Sequence, residues 1–174
     1  APTYWFNFTV PPALTLALDT AHTDLNLGCT PASTEVTVTA TGGTGAYQFI
    51  LKKGTTALLT QTSPKFTVTQ TGTYTIEVKD ANACTKEVTF TIVQAPTLTL
   101  GATNSAVNNN YCTQGGAKGK VEVRVAATPN KDTSPYRFYL NGVLKATQSA
   151  ATYIYDQLNI GTHTFTVVDQ YGCT

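Results

Sequence analysis

The chain has 174 residues, of which 11 are basic and 10 are acidic, so its formal net charge is +1. Charged residues make up 12% of the sequence, about half of the roughly 25% in an average domain. This balance provides no basic patch for nucleic acid and no electrostatic footprint for a membrane, so we predict neither as a partner. The sequence shows no initiator methionine, no signal peptide and no apolar run of about 18 residues or more. We interpret both ends as cuts within a longer polypeptide.

Residues 1–11 have the pattern of a single β-strand, with apolar side chains close together before Pro11 and Pro12. The stretch resembles residues 88–92, which also run up to a proline, Pro96. We predict that residues 1–11 are either the last strand of a preceding repeat or a donor strand that completes a neighbouring subunit. Strand exchange of this kind would build a head-to-tail filament. The donor residues would be Tyr4, Trp5, Phe6, Phe8 and Val10.

Residues 12–95 predict a first immunoglobulin-like domain. Apolar residues alternate with polar ones in six short runs, which is the pattern of strands with one buried and one wet face. Turn signals rich in glycine and asparagine separate these runs, and no helical periodicity of useful length is present. Six or seven short strands at roughly ten-residue spacing are typical of a β-sandwich. The six runs are centred on Leu16, Val38, Phe49, Phe66, Ile76 and Phe90.

Residues 96–174 repeat this plan in the same order. Residues 96–100 match residues 12–16, and residues 161–169 match residues 72–80. We therefore predict an all-β chain of two tandem immunoglobulin-like β-sandwich domains, with the last strand absent from the second. The junction at Pro96 predicts a short, stiff linker, and stiff linkers between sandwiches make a rod. The turn signal Asn141-Gly142 predicts a hairpin in the second repeat.

Four cysteines occupy two pairs of matching positions, because Cys112 repeats Cys29 and Cys173 repeats Cys84. Four cysteines allow three pairings. The repeat favours the pairing within each domain, Cys29 with Cys84 and Cys112 with Cys173, so that each domain carries one disulfide. Each would close a loop of about 55 to 60 residues, worth roughly 4 kcal/mol on the chain-entropy model. Free thiols and a zinc site are the alternatives, and zinc lacks the close Cys-x-x-Cys spacing and nearby histidines. Disulfides indicate an oxidising, extracytoplasmic setting.

Candidate metal and catalytic residues do not converge in this sequence. His22 lies near Asp19 and Asp24 in what we interpret as a solvated loop, with a metal site as the alternative. His163 replaces a strand tyrosine of the first repeat, and we predict that it is a wall residue of the sandwich. Asp80 and Asp169 precede the last cysteine of each repeat, where an aspartate usually caps its own turn. Calcium between repeats is the alternative at these two positions. We predict no enzyme, no resident metal and no cofactor.

Several short features suggest surface roles. Residues 42–45, Gly-Gly-Thr-Gly, are interpreted as a hairpin loop rather than a phosphate cradle, because they join two strands. Recurrent Thr-x-Thr pairs predict wet strand faces, with ice or glycan binding as the alternative. Trp5, Tyr153 and Tyr155 are candidates for sugar stacking, or else for packing. Asn7 and Thr20 are candidate glycosylation sites.

The closing segment of each repeat carries a resemblance to a known family. Residues 72–85 read Gly-Thr-Tyr-Thr-Ile-Glu-Val-Lys-Asp-Ala-Asn-Ala-Cys-Thr, and residues 161–174 follow the same pattern up to Tyr-Gly-Cys-Thr. With the Gly-Gly-Thr-Gly-Ala-Tyr loop at 42–47, this resembles the SprB-type repeat of surface adhesins in Bacteroidetes. The resemblance implies an immunoglobulin-like sandwich, type IX secretion, and a long repetitive protein that serves gliding motility, attachment or a surface filament. The chain departs from the pattern at Ala83, where the family has glycine, and at His163, where it has tyrosine.

From these observations we expect a non-catalytic structural or adhesive segment of a large secreted bacterial surface protein at the cell surface. It would act as a stalk or as the subunit of an extracellular filament. Its partners would be neighbouring repeats of the same chain, further copies joined through strand exchange, or surface glycans. A carbohydrate-binding module and an accessory segment of a secreted enzyme are the alternatives. Fold does not fix function, so this step rests on resemblance.

Overall fold

The computed structural model describes residues 3, 5–6, 9–103, 119–126, 132–159 and 161–174, and every regular element within them is a β-strand. The chain divides into two compact units, residues 1–27 with 32–94 and residues 28–31 with 95–174. The prediction of an all-β chain is confirmed. In the part of the chain described, no helix is long and apolar enough to cross a membrane.

The first unit consists of two sheets that enclose one core. One sheet has the strand order β1-β3-β6, and the other has the order β2-β8-β7-β4-β5. Strands β1, β3 and β6 thus share one sheet, as strands A, B and E do in an immunoglobulin domain. Strands β4, β7 and β8 share the other sheet, as strands C, F and G do. The strands are β1 (Thr15–Leu18), β2 (Asn26–Leu27), β3 (Thr34–Thr41), β4 (Gln48–Lys53), β5 (Thr56–Gln61), β6 (Lys65–Val68), β7 (Gly72–Lys79) and β8 (Thr85–Gln94).

Strands β7 and β8 show how the alternating pattern builds this unit. On β7 the inward side chains Tyr74, Ile76 and Val78 are at most 3% exposed. The intervening threonines face out, and they pair across the two strands through hydroxyl contacts of 3.1 Å. The prediction that Thr-x-Thr pairs mark wet faces is confirmed on these strands. The hydroxyl pairs are Thr73 with Thr91 and Thr75 with Thr89.

The second unit has the sheets β13-β10-β9 and β12-β11-β14. Its core is centred on Phe138 and Val167, both with 0% exposure. Strand β14 corresponds to β7 of the first unit, and among the described strands it lies at the edge of its sheet. The strands are β9 (Leu100–Thr103), β10 (Gly119–Val125), β11 (Tyr136–Leu140), β12 (Val143–Gln148), β13 (Thr152–Leu158) and β14 (Phe165–Val168).

The hairpin predicted in the second repeat is present between β11 and β12. Asn141 has φ 50° and Gly142 has φ 78°, as a type I′ turn requires. The Asn141 side chain also accepts the N–H of Thr164 at 2.8 Å, so the turn residue helps to position the start of the neighbouring strand segment.

The N-terminal residues take no part in a sheet where the structure describes them. Trp5 is 90% exposed and Val10 is 89% exposed, and Phe6 is also largely exposed. Tyr4, Asn7 and Phe8 lie outside the described residues. The interpretation of residues 1–11 as a strand of another repeat or as a donor strand stays a prediction.

Candidate functional site: the two cysteine turns

A turn between β7 and β8 is built around the carboxylate of Asp80. Asp80 Oδ1 accepts hydrogen bonds from the N–H groups of Asn82 at 3.0 Å and of Cys84 at 2.8 Å. Asp80 Oδ2 accepts one from the N–H of Thr44 at 2.9 Å. The backbone closes the same turn, since the Asp80 N–H donates to the Cys84 carbonyl at 3.0 Å. The predicted turn-capping role of this aspartate is confirmed.

These donors set the charge state of Asp80. The hydrogen bond from Thr44, together with those from Cys84 and Asn82, lowers the pKa of the Asp80 carboxyl below its usual value, while burial acts in the opposite direction. An ionised carboxylate surrounded by N–H donors has its lone pairs occupied, whereas calcium needs roughly six to eight oxygen ligands. Among the residues described, no group of three or more His, Cys, Asp and Glu side chains is placed to hold a metal.

The glycine-rich loop at residues 42–45 wraps around this carboxylate. A Cβ on Gly43 would lie 2.7 Å from Asp80 Oδ2, and a Cβ on Gly42 would lie 2.1 Å from the Ala13 carbonyl oxygen. Both glycines have positive φ, 75° at Gly42 and 65° at Gly43. The loop therefore connects β3 to β4 and directs a backbone N–H to an internal carboxylate. The loop joins two strands, as predicted, but β3 and β4 lie in different sheets and do not pair with each other, so the interpretation as a hairpin loop is wrong.

The second unit repeats the turn around Asp169, which is fully buried. Asp169 Oδ1 accepts the N–H groups of Tyr171 and Cys173, both at 2.9 Å, and the Asp169 N–H donates to the Cys173 carbonyl at 3.1 Å. Asp169 Oδ2 has no hydrogen-bond partner among the described residues. The segment 127–131, which follows β10, lies outside them. The equivalence of Asp80 and Asp169 thus extends from sequence to hydrogen-bond geometry.

The Asp169 turn also holds a segment that comes from far away in the sequence. Residues 28–31 group with the second unit, and the N–H groups of Cys29 and Thr30 donate to the Tyr171 carbonyl at 2.8 and 3.3 Å. Cys29 and Cys173 form a disulfide, with their Cα atoms 5.0 Å apart. Gly172 has φ 73°, and a Cβ there would lie 2.2 Å from the Thr30 carbonyl oxygen. A side chain at position 172 would therefore clash with the held segment in its present position.

The predicted pairing of Cys29 with Cys84 and of Cys112 with Cys173 is wrong. Cys29 is bonded to Cys173, and Cys84 is a free, exposed cysteine. The physical reason is the placement of residues 28–31: their N–H groups pair with Tyr171, so Cys29 reaches the cysteine of the second turn. Cys112 lies outside the described residues. The internal repeat correctly indicated which cysteines occupy equivalent positions, but it did not indicate which cysteines are bonded to each other.

The loop around His22 lies within the described residues, and it holds no group of three or more His, Cys, Asp and Glu side chains placed to bind a metal. His22 Nδ1 lies 2.7 Å from Asp19 Oδ2, and the side-chain hydrogen bond with His22 is the main cause that lowers the pKa of Asp19. Asp24 instead accepts the N–H of Asn26 at 2.9 Å within its own turn. The neighbouring Thr20, a candidate glycosylation site, is exposed, and Asn7, the other candidate, lies outside the described residues.

Two of the three candidate sugar-stacking aromatics belong to the core of the second unit. Tyr155 is 3% exposed and donates its hydroxyl to the Tyr139 carbonyl at 2.9 Å. Burial raises the pKa of Tyr155 to about 12. Tyr153 stacks on Phe138 with ring centroids 5.4 Å apart. The alternative interpretation as packing residues is confirmed for both, and only Trp5 of the three is strongly exposed.

Each unit contains a corner contact that the sequence did not reveal. Tyr74 donates its hydroxyl to the Gln70 carbonyl at 2.9 Å, which is the arrangement of a tyrosine corner. His163 occupies the equivalent position, and its Nε2 lies 2.8 Å from the Asn159 carbonyl oxygen. The half-buried histidine thus replaces a tyrosine hydroxyl in a structural contact, in agreement with its predicted role as a wall residue of the sandwich.

No family model and no curated protein matches the sequence. Among solved structures, the chain is similar to the fibronectin(III)-like modules of CbhA from Clostridium thermocellum, at 16% identity with a TM-score of 0.44. The similarity covers 91% of this chain and 88% of that chain. The strand order and the two cores establish the fold. They define two tandem immunoglobulin-like β-sandwich units, and one disulfide lies within the described residues.

Proposed function

We propose that the chain is a non-catalytic structural or adhesive segment of a large secreted bacterial surface protein, of the kind built from SprB-type repeats. The observation that carries the proposal is the tandem of two sandwiches with equivalent cysteine turns, one of which is closed by a disulfide. A disulfide is typical of an extracytoplasmic setting. Repeated units of one construction suit a long extracellular stalk or filament, whose partners are neighbouring repeats.

The filament form of this proposal assigns the N-terminal residues to another copy. When Pro12 is aligned with Pro96, Phe6 and Phe8 fall on the positions of Phe90 and Ile92. Those two β8 residues are 5% and 1% exposed in the first unit, where β8 pairs with β7. Strand β14 is the equivalent of β7 and lies at a sheet edge among the described strands. A donor strand would therefore pair with β14 of a second copy and place Phe6 and Phe8 in its core.

Removal of residues 1–10 tests the filament form. If the donor strand operates, the full chain gives ordered oligomers in light scattering and negative-stain images, and the shortened chain gives monomers. Phe6→Lys should have the same effect, because a charged side chain would enter the core of the receiving unit. Thr9→Lys is the matched control, since Thr9 aligns with Val93, which is 51% exposed on β8. Monomers for every variant would overturn the filament form in favour of a passive stalk segment.

A further inference from the structure

The two cysteine turns are built alike but differ in occupancy. In the second unit the turn accepts two backbone N–H groups from residues 28–31 and forms a disulfide with Cys29. In the first unit the equivalent turn has the same Asp80-centred hydrogen bonds, and its cysteine, Cys84, is free and exposed. Turns of similar geometry, with an aspartate and a cysteine at equivalent positions, thus bind a Gly-Cys-Thr-Pro segment at one place in this chain and leave a free, exposed cysteine at the other.

A depression lies beside Cys84 in the first unit. It has a volume of about 260 Å³, and most of its wall is apolar. Its lining includes Thr44, Asn82 and Cys84 from the turn and its neighbouring loop, and Val10, Pro11 and Leu14 from the segment that leads into β1. An apolar depression next to a cysteine suits a short segment that carries its own cysteine and a proline, which is the composition of residues 28–31.

We propose that the Asp80–Cys84 turn is an attachment site for the Gly-Cys-Thr-Pro segment of another repeat of this kind. The Asn82 carbonyl would accept the N–H groups of the incoming cysteine and threonine, as the Tyr171 carbonyl does in the second unit. Cys84 would then form a disulfide with the incoming cysteine. Each repeat would in this way join its first cysteine to the last cysteine of the next repeat.

The side chain of Ala83 weakens this attachment. Ala83 occupies the position of Gly172 and has nearly the same backbone conformation, with φ 64° against 73°. Because a Cβ on Gly172 would lie 2.2 Å from the Thr30 carbonyl oxygen, the Cβ of Ala83 forces an incoming segment to sit roughly 1 Å further out. The hydrogen bonds to the Asn82 carbonyl become longer and weaker. Attachment at Cys84 is therefore weaker than the Cys29–Cys173 contact, and Ala83→Gly strengthens it.

The covalent step is a thiol–disulfide exchange. The Cys84 thiolate attacks the cysteine sulfur of a mixed disulfide, a new S–S bond forms, and the displaced thiolate takes up the proton that Cys84 lost. The number of disulfides and of thiols is unchanged. In an oxidising compartment, a small-molecule or protein disulfide serves as the two-electron acceptor that generates the mixed disulfide.

The test uses the full chain with Cys112→Ser, so that Cys84 is the one cysteine available for exchange. The probe is a peptide of residues 26–33, Asn-Leu-Gly-Cys-Thr-Pro-Ala-Ser, supplied as its mixed disulfide with glutathione. A scrambled peptide of the same composition is the control. Mass spectrometry gives the exchange equilibrium constant for each peptide. Two backbone hydrogen bonds predict a preference for the native sequence on the order of tenfold with Ala83→Gly, and a smaller but measurable preference with Ala83.

Equal reaction of the native and scrambled peptides would overturn the proposal, and so would a preference that does not change with Ala83→Gly. A Cys84–Cys112 disulfide within single unmodified chains would overturn it as well. The inference rests on the proposed assembly of repeats, but the two tests fail separately. Peptide exchange reports on the turn alone, whereas the imaging of oligomers reports on residues 1–10.

Discussion

Replacement of Cys29 by serine is expected to destabilise the second unit strongly, whereas Cys84→Ser leaves the stability of both units almost unchanged. The bond between Cys29 and Cys173 joins residues 144 positions apart. Loss of a native disulfide typically costs about 2 to 5 kcal/mol. Cys84 is free and exposed, so its replacement should change the free energy of unfolding by less than about 0.5 kcal/mol.

Calorimetry of Cys29→Ser and Cys84→Ser distinguishes the Cys29–Cys173 bond from the pairing inside each repeat. With the Cys29–Cys173 bond, the transition of the second unit falls by about 10 °C or more in Cys29→Ser, and no transition moves appreciably in Cys84→Ser. With the pairing inside each repeat, both variants would lose a disulfide and both would be destabilised. A large effect of Cys84→Ser would therefore contradict the structure.

Gly172→Ala is expected to have the second large effect. The added Cβ would lie 2.2 Å from the carbonyl oxygen of Thr30, and the residue would keep a positive φ of 73°. Overpacking and an unfavourable backbone conformation together cost about 2 to 4 kcal/mol. The transition of the second unit should fall. A fraction of chains should fold without forming the disulfide and so keep the thiols of Cys29 and Cys173, because residues 28–31 no longer fit on the turn.

Ala83→Gly is the matched control for this prediction. It makes the reverse change at the equivalent position of the first unit, where φ is 64°. Glycine adopts this conformation without a steric cost, so the stability of the first unit should be unchanged or slightly raised. If Gly172→Ala also left the melting temperatures and the thiol count unchanged, the close contact between Gly172 and Thr30 would be refuted.

The sequence predicted those strands that have one buried face. Strands β3, β7 and β8 alternate between buried and exposed positions, and this alternation is visible in the residues themselves. Strand β5 was missed because its positions are nearly all exposed, so no alternation arises. Strand β13 was missed because its pattern is irregular. Gln157 has a positive φ of 56°, and the pairing with β10 shifts register.

The cysteine turns were predicted in part. Asp80 and Asp169 were identified as turn caps because the aspartate precedes the cysteine at the same distance in both repeats. The partner of each cysteine was not predictable in this way. Equivalent positions are compatible with bonds inside a repeat and with bonds from one repeat to the next. The choice depends on where residues 28–31 lie, and this is decided by hydrogen bonds to Tyr171 and by the absence of a side chain at Gly172.

The most direct test of this account is disulfide mapping of the unreduced protein by proteolysis and mass spectrometry. We expect a cross-linked peptide pair that contains Cys29 and Cys173, together with a Cys84 that alkylates without reduction. A peptide pair that contains Cys29 and Cys84 would contradict this expectation. In that case each repeat would be closed on itself, and the proposal that the Asp80–Cys84 turn receives a segment of another repeat would fail.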